Sequence, residues 1–178
     1  MITTTLKEIR AKSPCTDGWE KLLKHLDKSG SEAKNDSTPL SVITVLESNG
    51  IDDALWVLDN CIDSRICVLF ACDCAESVLH IFEKAHPKDG RPRTAIEVAR
   101  DPNSSTDNLA TAREAAGAAA RAAEWSAAWA AGAAAGDTAR AAGAAAWAAG
   151  AAARAVQERR LIQYLTHGES AADMEWVK

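Results

Sequence analysis

A chain of 178 residues, 47% of them apolar, is long enough for one core, but alanine buries little area per residue. The core must therefore come from the Leu, Ile, Val, Phe and Trp of residues 1–100 and from a few later tryptophans. A net charge of −5 argues against direct nucleic-acid binding, and the charge is uneven: residues 36–83 carry nine acids against one base, Arg65.

In chain order, Thr3–Thr5 can cap a short helix carrying Leu6 and Ile9, and Ser13-Pro14 resembles a cap followed by a first-turn proline. Asp17-x-x-Glu20 is a capping-box-like start for a helix with Trp19, Leu22, Leu23 and Leu26 on one face. Lys28 to Ser37 is polar, without periodicity, and reads as a loop. Thr38-Pro39 opens a helix burying Leu40, Ile43 and Leu46, which stops at Asn49-Gly50. Asp52 or Asp53 starts another, with Ala54, Leu55, Leu58 and Cys61 inward. Asp63 begins the strongest helix of this half, from about Ser64 to Lys84, with Val68, Cys72, Ala75, Leu79 and Phe82 as its apolar seam. After a loop over His86–Pro92, Thr94 to Arg100 reads as a short helix ended by Asp101-Pro102.

From Ala110 to Val156 the chain is mostly alanine, the best intrinsic helix former, and the interruptions are phased. At about 100° per residue, Trp125, Trp129, Gly132, Gly136, Gly143, Trp147 and Gly150 share one stripe, flanked by Arg121, Arg140 and Arg154. Gly136-Asp137 joins a C-terminal to an N-terminal capping residue, which predicts a hairpin of 108–135 against 138–166. The competing arrangement is one continuous helix, because the stripe keeps phase through position 136. The last helix ends at His167-Gly168, and Trp176 is placed to pin the tail. No segment alternates as a strand with conviction. The expected fold is all-α: a helical bundle over 1–104, an Ala/Trp-rich hairpin arm over 105–168 and a tail over 169–178.

The chemistry-bearing residues are few. On the long helix Asp73, Glu76, His80 and Glu83 form a polar row, so three possible metal ligands share one face. Arg91, Arg93 and Arg100 nearby favour an ion-pair network over a cation site or a partner patch. No nucleophile or oxyanion hole accompanies the row, so neither catalytic residues nor a metal or cofactor is expected. Cys15, Cys61, Cys67, Cys72 and Cys74 are odd in number, lack zinc spacing and follow no signal peptide; they read as small buried hydrophobes of a cytoplasmic chain. No membrane contact is expected. The acidic residues Asp52, Asp53, Asp59 and Asp63 offer a docking face for a basic protein or ribonucleoprotein, with Glu76, His80 and Glu83 as a second candidate. Trp125, Trp129 and Trp147 offer a route to a homodimer, the alternative function being structural self-association.

Several segments together carry a resemblance. Ser13-Pro14-Cys15-Thr16-Asp17-Gly18-Trp19-Glu20-Lys21-Leu22-Leu23 is one, and Leu46-Glu47-Ser48-Asn49-Gly50-Ile51-Asp52-Asp53-Ala54-Leu55-Trp56 another. Val78–Lys84 and Arg91–Arg100 add to it. Across most of residues 13–155 the chain resembles the "putative immunity protein" group of bacteria and phages, allied to an all-α immunity family of polymorphic toxin systems. The resemblance implies a non-catalytic inhibitor that occludes a basic surface on a nucleic-acid enzyme or complex, as toxin immunity or as phage anti-defence of an anti-CRISPR type. It offers no catalytic residues to carry over.

Overall fold

The computed structural model describes residues 1–105, 107 and 138–176, apart from the side chains of residue 64 and residues 138–151. The fold is all-α as expected, with one two-residue strand pair added. Two compact units divide the chain, Met1–Phe70 with Glu158–Lys178, and Ala71–Gln157.

The first unit opens with strand β1 (Thr3–Thr4) and helix α1 (Leu6–Ala11). The Thr5 hydroxyl accepts the Glu8 N–H at 3.1 Å, a cap that contributes about 1 kcal/mol. Leu6 and Ile9, three apart on one face, are buried. Helix α2 (Thr16–His25) buries Trp19, Leu22 and Leu23, but its capping residue is Cys15, whose Sγ accepts the Gly18 N–H at 3.4 Å. The stretch read as a loop holds one helical turn, α3 (Gly30–Ala33), closed by a capping box between Ser29 and Glu32.

Strand β2 (Leu40–Ser41) pairs antiparallel with β1, Thr3 opposite Ser41 and Thr4 opposite Leu40. That pairing holds Leu40 and Ser41 extended, so α4 starts later than Thr38-Pro39 predicts, over Val42–Asn49 with Ser41 as its cap. The buried face moves with the start, to Val42, Val45 and Leu46. Gly50, at φ +99°, ends α4 where expected. Helix α5 (Ile51–Val57) continues into a π-helical turn (Leu58–Ile62), and Asp63 returns to extended backbone. Helix α6 (Ser64–Ala85) has the boundaries that its seam predicts.

Residues 158–176 belong to this unit. They include the end of α8 (Thr138–His167), close to the predicted 138–166. Leu161, Tyr164 and Leu165 are fully buried, and Phe70 meets Tyr164 edge-on at 6.4 Å. The N-terminal segment is clasped at both edges. The Ile2 N–H donates to the Leu165 carbonyl at 2.7 Å, and the Val42 N–H donates to the Ile2 carbonyl at 3.2 Å. Gly168 closes α8, and the following 3-10 turn (Gly168–Asp173) buries Ala171. Arg160 is only 2% exposed; it donates to Gln163 Oε1 at 2.8 Å and to the Met174 carbonyl at 3.2 Å. Its guanidinium also lies 5.1 Å from the Tyr164 ring centre and 5.8 Å from that of Trp176, which pins the tail as expected.

The second unit contains the later part of α6, helix α7 (Arg91–Arg100) and α8 up to Gln157. Helix α7 begins three residues earlier than read, because Pro92 fits its first turn. The predicted Gly136-Asp137 turn and the first hairpin limb, 108–135, lie outside the described residues, as do the backbones of Trp125 and Trp129 and the side chain of Trp147. Among the described residues no helix is long and apolar enough to cross a membrane.

Candidate partner-binding site

The first acidic cluster spans α5 and the turn that follows it. Asp52 and Asp59 are seven residues apart, which on a helix returns to the same face; both are exposed. Asp63 is exposed as well, and its Oδ1 accepts the Arg65 N–H at 2.8 Å, starting α6. Asp53 is half-buried and accepts a hydrogen bond from Asn49 Nδ2 at 2.7 Å, while the same amide donates to the Gly18 carbonyl at 2.7 Å. Among the described residues no lysine or arginine stands within ion-pair distance of Asp53, Asp59 or Asp63. Their field reaches inward: burial, and then the charges of Asp59 and Asp63, push the Cys67 thiol up to about 11. That thiol stays protonated near neutrality, so it is a poor nucleophile.

Beside Asp53 lies a groove of about 200 Å³ whose lining includes Trp19 and Leu22 of α2, Val45 of α4 and Trp56 of α5. A Cβ at Gly18 would come 2.7 Å from Asp53 Oδ2 and 3.0 Å from Cys15 Sγ. Glycine therefore permits the close approach of Asp53 to α2. The spacing of residues along the chain does not disclose this groove. Two signals pointed to it: a glycine inside a short helix, where it costs about 1 kcal/mol against alanine, and Trp56 one turn beyond Asp53.

The second acidic cluster, described within its own unit, has a different state. Asp73 is 4% exposed and accepts from Arg100 Nη2 at 2.6 Å; the same nitrogen stands 2.5 Å from Glu76. Glu83 is held by Arg93 through two parallel hydrogen bonds, 2.7 and 2.8 Å long. The Arg93 hydrogen bond keeps the Glu83 carboxyl below its ordinary range. This is the ion-pair network expected from the sequence, with one change: Arg91 pairs with Asp89 instead. His80 stays exposed on the row.

The cysteines depart from expectation. Cys72 is buried, Cys61, Cys67 and Cys74 are half-buried, and Cys15 is exposed because its sulfur caps α2. Among the described residues no three His, Cys, Asp or Glu side chains are grouped to hold a metal ion. Of the self-association residues, Trp125 and Trp129 and the side chain of Trp147 lie outside what the structure describes.

A family model described as Imm-5 like putative immunity protein matches residues 61–177. No curated protein and no solved structure matches the chain. The match takes in Val78–Lys84 and Arg91–Arg100, which carried part of the resemblance. It begins after Ser13–Leu23 and Leu46–Trp56, which carried the rest. Because it runs through the last residues of the acidic turn, the ion-pair network, the alanine tract and the returning end of α8, well over half of the sequence, the chain belongs to the Imm-5 like putative immunity protein family.

Proposed function

We propose that this protein is a non-catalytic inhibitor that neutralises a macromolecular partner by covering it with the acidic face of α5 and the turn after it. Membership of an immunity family supports the role in general terms. The observation that carries the choice of surface is the exposed pair Asp59 and Asp63, with no cation at ion-pair distance among the described residues. Uncompensated carboxylates on one surface speed encounter with a basic partner and select against acidic ones. The carboxylates of Glu76 and Glu83, by contrast, already have arginine partners. The fitting partner is a basic functional surface on a nucleic-acid enzyme or ribonucleoprotein, belonging either to a toxin or to a defence complex of the CRISPR kind.

The test replaces Asp52, Asp53, Asp59 and Asp63 together by Asn and Ser. The expected result is an unchanged circular dichroism spectrum and a loss of about 100-fold or more in partner neutralisation. Full neutralisation by the folded variant would remove the acidic face from the mechanism. Light scattering of a Trp125/Trp129/Trp147→Ala variant separates this proposal from self-association: inhibition by occlusion survives a fall to monomer, whereas a structural assembly does not.

A further inference from the structure

Asp53 and Trp56 stand three residues apart on α5 and both line the groove, with Trp19 of α2 among the other lining residues. Asp53 is half-buried, its Oδ2 is held by the Asn49 amide at 2.7 Å, and no described cation lies within ion-pair distance. A trough lined largely by apolar side chains and carrying an anchored negative charge selects a long side chain with an aliphatic stem and a cationic head. A purely aliphatic occupant would desolvate the carboxylate without replacing its water, and an anion would be repelled. Indole faces add attraction for a planar guanidinium. The chain itself shows that affinity, since the Arg10 guanidinium lies 5.7 Å from the Trp19 ring centre. A volume of about 200 Å³ suits one side chain rather than a folded element.

We propose that this groove receives a single arginine side chain from a basic segment of the partner protein, its stem against Trp19 and Trp56 and its guanidinium on Asp53. The proposal rests on the inhibitor reading above and gives that interface an anchor of the kind in which arginine and tryptophan predominate.

The probe is a short Gly/Ser peptide with one arginine between two leucines, compared with its citrulline counterpart, which keeps the shape and removes the charge. The readout is the Trp56 indole N–H resonance in the full chain, assigned with Trp56→Phe. The arginine peptide is expected to shift this resonance saturably, and the citrulline peptide to bind about tenfold more weakly or worse. Asp53→Asn keeps an oxygen for the Asn49 amide. It should weaken the arginine peptide about tenfold and leave the citrulline peptide within about a factor of two. Gly18→Ala, which crowds Asp53 without changing charge, should act in the same direction. Equal binding of the two peptides, or a Trp56 resonance that stays still at millimolar arginine peptide, would overturn the proposal. If the groove stays silent while the four-acid variant loses neutralisation, the groove falls and the inhibitor reading stands. If the groove responds while that variant, which lacks Asp53, still neutralises, the groove binds arginine but does not anchor the partner, and both the anchor and the acidic-face reading fall.

Discussion

Two acidic clusters follow one another in the sequence, and the structure treats them in opposite ways. On α6, Asp73, Glu76 and Glu83 meet Arg100 and Arg93, so their charge is consumed within the unit that carries them. On α5 and its turn, Asp53, Asp59 and Asp63 have no such cation among the described residues. Counting acids does not separate these cases. What separates them is whether a helix bearing arginines folds back onto the row, as α7 does after a short loop. A carboxylate that is neutralised at home contributes to stability; one that is left exposed contributes a field.

The contrast can be broken first at Arg100. Arg100→Ala removes a cation from a carboxylate that is almost wholly buried, and unfolding free energy should fall by about 3 kcal/mol, measured by urea denaturation. A loss below about 1 kcal/mol would mean that Asp73 is satisfied without the guanidinium. Adding Asp73→Asn to that variant should restore part of the loss, since an amide is cheaper to bury than a charge.

A smaller effect is expected from Glu76→Gln combined with Glu83→Gln. Both carboxylates are partly exposed and their pairs are screened by solvent, so stability should hardly change, and neutralisation should stay within about a factor of two of wild type. A large drop in neutralisation would move the partner surface onto α6. The smallest effect concerns the start of α7, where hydrogen bonds from Arg91 hold the Asp89 carboxyl at about 2. Its folded value lies below the ordinary 3.8, so this local contribution is complete above pH 3.8 and disappears as pH falls through about 2. NMR titration of the Asp89 carboxyl should show that midpoint, and Arg91→Ala should return it toward 3.8.

Elements with local causes were legible. The run from Ser64 to Ala85 follows from a continuous 3.6-residue seam, and Gly50 and Gly168 mark helix ends because both adopt positive φ. The ion-pair row was legible because its arginines lie in the next helix. Features depending on distant partners were not. Ser41 rather than Thr38 caps α4 because Thr3 and Thr4 pair with the residues before it. The groove needs Gly18 and Asp53 brought together, and spacing along one helix cannot disclose a neighbour 35 positions away. Likewise Leu161, Tyr164 and Leu165 announce a buried face without stating what buries it.

That last arrangement has a consequence for synthesis. Ile2 is hydrogen-bonded to Leu165, and Phe70 rests on Tyr164, so the segment from Ile2 to Phe70 is completed by residues translated more than ninety positions later than Phe70. While the alanine tract is being made, Phe70 and Ile2 lack the surface that covers them. Covering Ile2 and Phe70 therefore requires closure of a long loop, a slower event than forming a helix. A ribosome stalled within the tract would hold Ile2 and Phe70 still without Leu165 and Tyr164.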